Sequence, residues 1–288
     1  PLQKHKVAFC FRNNNNLYKN ITNPFIDIMF IDIANGAENV ADDVCRYKPT
    51  ILVAPARVLS VLPNYMDENS IRPQRIFSVA ECLEKDDAAR LKSYFKQDIS
   101  EIYQCTEGFL GITNLALGKM MLNEMYIHVE KEWIDEKRFI PIITDFTRFT
   151  QPFIRYKLSD ILVESDNNDV IFTTLNKIEG RLDDVLYFSQ KNTDSLKPIF
   201  PDTIRGLFTQ MIKLDDYVVE QNALHQLSIM IKPYNEELVK LIVSTLENFI
   251  LSNSMLPIKI QCEPLITHDL NLKKRRVKRN FKLSRALK

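Results

Sequence analysis

"RIFSVAECLEKDDAARLKSYFKQDISEIYQCTEG", residues 75 to 108, decides how this chain is read. An apolar run into "SVAE" reads as a buried strand. "KDDAARLKSYF" spaces its apolar residues like an amphipathic helix, and "ISEIYQC" is apolar again. Strand, helix, strand is the unit of a parallel sheet, because parallel neighbours need a crossover rather than a tight turn. Ligands of such sheets gather beyond the carboxyl ends of the strands. Both "SVAE" and "YQCTEG" stand at such ends. Gly108 and Gly111, two of only six glycines, follow the second of them and mark a tight turn or a close approach. Thr106 and Glu107 present a hydroxyl and a carboxylate at that turn. The plain alternative is a strand-to-helix loop with a solvated glutamate.

Working outward, "KVAFCF" (6–11) and "PFIDIMFIDI" (24–33) read as strands, residues 38 to 47 as a helix, and "ILVAP" (51–55) as a strand. A helix with Val58, Leu59 and Leu62 on one face follows. This order predicts an α/β fold with a helix-covered, mostly parallel sheet. After residue 120 the texture changes to short alternating strands, "MYIHVEKEWI", "RFIPIITDF", "PFIRYKLSDILVE" and "VIFTTLNKIEGR", which predict a small antiparallel subdomain. The last third predicts a small α+β domain: strand "DDVLYFSQ", helix "PDTIRGLFTQMI", strand "LHQLSIMIKP", long helix "NEELVKLIVSTLENFI" and strand "PIKIQCEPL". Gly180 and its charged neighbours in "EGRLDD" place the boundary, giving domains 1–182 and 183–288.

With 288 residues and 45% hydrophobic side chains, the chain has material for two packed cores. Its longest apolar runs are far too short to cross a bilayer as helices, and no signal sequence opens it. Five scattered cysteines without a C-x-x-C pair argue against a disulfide framework and a compact zinc site. These features lead to the expectation of a cytoplasmic protein with no membrane partner. The net charge of +1 conceals a basic tail, "KKRRVKRNFKLSRALK" (273–288), on an acidic remainder. The tail has one aromatic ring, Phe281, and the acidic body repels polyanions, so nucleic acid is not an expected partner.

Four polar stretches stand in order, "SVAE" (78–81), "YQCTEG" (103–108), "RYKLSD" (155–160) and "GRLDD" (180–184), followed by "KKRRV" (273–277). Each alone has a dull explanation as a cap, a surface ion pair or a solvated charge. Jointly, their order and spacing resemble the adenylate-forming superfamily of acyl-CoA synthetases, and most closely its phenylacetate-CoA ligase-like branch. The resemblance runs over essentially the whole chain and implies the C-terminal two-thirds of such an enzyme. It implies that Val79, Ala80 and Glu81 line an adenine pocket that Tyr103, Gln104, Thr106 and Glu107 close. Within it, Tyr103 would stack on adenine, Thr106 would contact phosphate and Glu107 would help to hold Mg2+, and the two glycines would let the backbone pass close to the nucleotide. A carboxylate suits so hard a cation. Asp160 would accept hydrogen bonds from the ribose hydroxyls, Arg181 would reach ribose or phosphate, and Asp183 would be the hinge of a mobile C-terminal domain. Lys273 would neutralise charge developing between the substrate carboxylate and the α-phosphate.

The implied reaction joins ATP and a small carboxylic acid, an aromatic one by family-level expectation, into an acyl-adenylate. A thiol, coenzyme A by preference, then takes the acyl group. Transfer to an acyl carrier protein, nucleotidyl transfer without a thioester, and a non-catalytic nucleotide-binding module are the alternatives. The chain departs from the family at three places. Leu272 stands where a glycine usually precedes the terminal lysine. "ILVESDNNDVIFTTLNK" lacks the cysteine cluster of many relatives, so no zinc is expected. The glycines at 36, 108, 111, 118, 180 and 206 never cluster with Ser and Thr into a phosphate loop. The 288 residues alone are therefore expected to bind ATP weakly and to form no adenylate.

Overall fold

A computed structural model describes residues 4–12, 23–166, 170–209, 214–266 and 275–283. Its described residues fall into two compact units. The first comprises residues up to 157 and 163–178, and the second 158–162 and the residues from 179 onward.

In the first unit β1 (His5–Phe11) and β2 (Ile26–Asp32) pair in parallel. Helix α1 (Ala37–Tyr47) follows Gly36, whose φ of +88° suits glycine, and lays Val40, Ala41 and Val44 on the core. Then come β3 (Ile51–Pro55), α2 (Ala56–Val61), β4 (Arg75–Val79), α3 (Lys85–Phe95) and β5 (Ser100–Cys105). Asp86 and Asp87 open α3, where acidic groups complement the helix dipole. Strands β2, β1, β3, β4 and β5 lie side by side, all parallel, with a core that includes Ala8, Ile31, Val44, Leu52, Leu59 and Leu91. The expected helix-covered parallel sheet is present.

The antiparallel strands expected after residue 120 are also present, and they continue the same sheet. Strand β6 (Gly108–Asn114) returns antiparallel to β5 through a two-residue turn, and β7 (Lys119–Leu122) pairs with β6. The segment after Glu107 is thus a hairpin strand, where the plain reading expected an approach to a helix. Strands β8 (Ile127–Trp133), β9 (Arg138–Asp145), β10 (Tyr156–Lys157), β11 (Asp160–Glu164) and β12 (Thr174–Arg181) complete a sheet of twelve. Strands β11 and β12 run across the division between the units.

In the second unit a 3-10 turn, Leu182–Asp184, leads to the ribbon of β13 (Leu186–Ser189) and β14 (Leu196–Ile199). Helix α4 (Pro201–Thr209), β15 (Asp216–Ala223), β16 (Gln226–Lys232), α5 (Glu236–Ser252), β17 (Lys259–Pro264) and β18 (Val277–Arg279) follow. The sheet order is β17-β16-β15-β18. Helix α5 buries Leu238, Ile242, Leu246 and Ile250, a stripe at i, i+4 spacing, and Asn235 caps it by accepting from the Leu238 amide at 2.9 Å. Gln221 is wholly buried; its amide accepts from the Tyr187 N–H at 3.0 Å and donates to the Tyr187 carbonyl at 2.6 Å, tying β15 to β13. The sequence pattern named the two helices but not β14, β15 or β18.

Candidate active site

Two groups of the expected residues are built, one in each unit. In the first, β4 ends at buried Val79 and the chain turns at Ala80 with φ of +64°. A left-handed conformation costs a non-glycine residue about 1–2 kcal/mol. Glu81 then folds back on α2: its Oε1 lies 3.3 Å from Arg57 Nη1, and its Oε2 accepts from the Arg57 amide at 3.3 Å.

The β5–β6 hairpin supplies the rest. Tyr103 is buried and Gln104 exposed, as alternation along a strand requires, and the register of the pair slips between them. Thr106 and Glu107 form the turn. The Thr106 hydroxyl donates to Glu107 Oε2 at 2.8 Å. Partial burial pushes the Glu107 carboxyl up. Hydrogen bonds from Thr106, Cys105, its own backbone and Tyr156 outweigh that and hold it below the usual range. Glu107 is therefore an anion at neutral pH. Burial first, and then its bond to Glu107, push the Cys105 thiol up to about 12, so that it stays protonated.

The two glycines make room within the protein, whatever else they admit. A Cβ on Gly111 would stand 2.9 Å from the Met121 carbonyl of β7, and one on Gly108 would stand 3.1 Å from Asp145 Oδ2. Both make room for the protein itself.

That carboxylate is one the sequence reading missed. Asp145 is buried at the end of β9 and accepts from the Thr147 amide at 2.7 Å and hydroxyl at 2.6 Å. Arg148 Nε lies 3.5 Å from Asp145 Oδ2, its Nη1 donates to the Thr106 carbonyl, and its guanidinium sits 5.5 Å from the Phe153 ring. The signal available in "ITDFTR" was the Asp-x-Thr spacing of a side-chain-capped turn. A cavity of about 260 Å³ opens beside it, lined by Phe109, Asn123, Tyr126, Ile127, Asp145 and Thr147.

In the second unit Asp160 opens β11 half-buried, and the guanidinium of Arg181 donates to the Oγ of neighbouring Ser159 at 3.1 and 2.7 Å. Asp183 is exposed within the 3-10 turn. The next residue, Asp184, is buried and ion-paired with Arg275; burial raises its carboxyl and Arg275 only partly offsets that. Two further residues of the basic tail are ion-paired: Arg276 lies 3.6 Å from Asp216 and Lys278 2.7 Å from Glu220. Lys273 lies outside the described residues. Among the described residues, no group of three or more His, Cys, Asp or Glu is placed to hold a metal by itself, and no helix is long and apolar enough to cross a membrane.

No protein-family model matches the sequence, and a search of curated proteins finds no match. The fold is matched by solved structures. A 2-hydroxyisobutyryl-CoA ligase in the postadenylation state, in complex with 2-HIB-AMP, aligns over 96% of this chain and 65% of its own, at 13% identity and a TM-score of 0.67. The anthranilate CoA ligase AuaEII with anthranoyl-AMP aligns over 93% and 57%, at 15% identity and 0.62. A benzoate CoA ligase from Burkholderia xenovorans LB400 aligns over 96% and 60%, at 13% identity and 0.62. The chain thus spans less than two-thirds of the length of these structures. At such identities the likeness is one of fold, and the fold is that of adenylate-forming ligases.

Proposed function

We propose that this chain carries the nucleotide-facing part of an ATP-dependent ligase that activates a small carboxylic acid as its acyl-adenylate. The observation that carries the reading is the Thr106–Glu107 turn. It sets a hydroxyl and an ionised carboxylate at the carboxyl edge of the parallel strands, in a fold shared with ligases captured with acyl-AMP. The acid's carboxylate oxygen attacks the α-phosphorus of ATP, the bond to the β-phosphate bridge breaks, and pyrophosphate leaves. A thiol then attacks the acyl carbon and AMP departs. Coenzyme A is the proposed acceptor, since one of the fold's relatives was solved with both 2-HIB-AMP and CoA. Two relatives that act on benzoate and anthranilate make an aromatic acid the first candidate substrate.

In this reading Thr106 contacts phosphate, Tyr103 and Gln104 with Val79, Ala80 and Glu81 flank adenine, and Asp160 and Arg181 engage ribose and phosphate. Glu107 fits a magnesium ion because it offers hard, ionised oxygens. The ion would neutralise phosphate charge, with the nucleotide and water completing its shell. Lys273 would act on the charge between carboxylate and α-phosphate. Asp183 would be the hinge of a mobile domain from residue 183, and the phosphate loop would be supplied from outside these 288 residues.

The test is ATP–pyrophosphate exchange by the whole protein over a panel of carboxylic acids, with AMP followed as product. Acid-dependent exchange supports the ligase. Nucleotide binding without exchange for any acid replaces it with a binding module. Exchange without thioester formation from coenzyme A moves the acceptor to a carrier protein or ends the reaction at the adenylate.

A further inference from the structure

The turn that carries Thr106 and Glu107 is of an unfavourable kind. Two-residue hairpin loops prefer primed turns, with positive φ at one or both central residues, because only those follow the twist of the strands. None of Cys105 to Gly108 has a positive φ. The register of the same hairpin slips between Tyr103 and Gln104. From outside the hairpin, the Arg148 guanidinium reaches this turn.

We infer that Arg148 and Asp145 form a clamp that positions the Thr106–Glu107 turn, and that they are positioning residues for the reaction proposed above. Arg148 donates to the Thr106 carbonyl from one arm and faces Asp145 with another edge, its face against Phe153. Asp145 is fixed from behind by two bonds from Thr147, and its Oδ2 would lie 3.1 Å from a Cβ at 108, so a side chain there would press on it. The chain therefore runs from a buried carboxylate, through a planar cation, to the backbone of the residue whose hydroxyl bonds Glu107. Arginine suits the post: its guanidinium is a rigid fork that can serve two acceptors while stacking on a ring, which an ammonium cannot do. Neither residue touches the reacting atoms. The clamp fixes where the Glu107 carboxylate stands, and so how well a magnesium ion and the phosphates are met.

The clamp inference rests on the ligase reading only in its consequence for the reaction, and two measurements on the whole protein separate them. The first is hydrogen–deuterium exchange without nucleotide. Loss of a charge-assisted hydrogen bond in Arg148→Ala is expected to speed exchange across residues 103 to 109 about tenfold. Arg148→Lys should restore little of the protection, and exchange in β1 to β4 should stay unchanged. Unaltered exchange at 103 to 109 overturns the clamp whatever the protein catalyses. Loosening spread evenly over the unit also overturns it, because Arg148 would then be an ordinary stabilising contact. The second is adenylation against magnesium concentration. Arg148→Ala should need several-fold more magnesium for half-maximal exchange of pyrophosphate, while thioester formation from presynthesised acyl-adenylate keeps its wild-type rate. Equal magnesium dependence would remove the catalytic consequence and leave the clamp only as a structural device. A wild-type protein for which none of the acids supports pyrophosphate exchange defeats the ligase reading alone, since the first measurement still decides the clamp.

Discussion

Glu107 carries a negative charge that its neighbours defend, and this makes it the residue on which the chemistry can be tested most directly. Glu107→Gln keeps the volume and removes the charge. Losing one electrostatic contact in a transition state costs about 3–4 kcal/mol, so adenylation by the whole protein should fall a few hundredfold with the fold intact. The pH dependence has a definite sign. A carboxyl held below its ordinary 4.5 contributes stability that is fully present above that value and is lost as pH falls through the folded value. Urea melts at pH 6 and pH 3 should therefore show a smaller acid loss in Glu107→Gln than in the wild type. The buried Asp184 behaves oppositely, its folded value being raised. Arg275→Met strips it of its cation and should lower stability at pH 7 by about 1–3 kcal/mol, a range that allows for the exposure of Arg275. Part of that loss should return as acid protonates Asp184, and a loss that deepens steadily with acid would contradict the pairing.

Among the elements, the β5–β6 hairpin shows how a few atoms set a site. Gly111 lies against the Met121 carbonyl, so Gly111→Ala needs β6 and β7 to part, and backbone cannot yield as a long side chain can. Overpacking of this kind costs about 1–3 kcal/mol. At the neighbouring strand end the sign reverses. Ala80 sits at φ of +64°, so Ala80→Gly relieves the strain, less the extra entropy of glycine in the unfolded chain, for a gain of up to about 1 kcal/mol. Thermal melts of the two variants should move in opposite directions. If Ala80→Gly also slows adenylation, the strain at the end of β4 serves the site as well as the fold.

For the molecule as a whole, the ligase reading predicts that two residues separate two half-reactions. Lys273→Ala should slow adenylate formation by about a hundredfold or more and spare thioester formation from presynthesised adenylate. Asp183→Pro should do the reverse, because proline limits the backbone torsion a hinge has to change. Stopped assays of each half-reaction check both variants, and equal loss of both steps in each would count against domain alternation.

Sequence by itself determined the strand–helix alternation from β1 to β5, the two helices of the second unit and the residues at the ends of β4 and β5. Buried parallel strands read as short apolar runs between polar turns, and helices such as α5 repeat their apolar stripe every three or four residues. Both signals lie within a few positions of one another. Short pieces such as β14 and β18 escaped, being too brief to show a period, and the eight-residue β15 escaped as well. Only the tertiary structure decided what the marked residues touch. Gly111 is required by a carbonyl of the next strand, and Gly108 faces a carboxylate at the end of β9. The basic tail reads as solvated charge until Arg275 meets Asp184, 91 residues away in the chain. The clamp on the Thr106–Glu107 turn comes from a residue 42 positions downstream. Propensity is a property of neighbours along the chain, whereas close approach, burial and charge pairing depend on which distant segments the fold brings together. For that reason the glutamate could be read from its local pattern, but its charge state and its support could not.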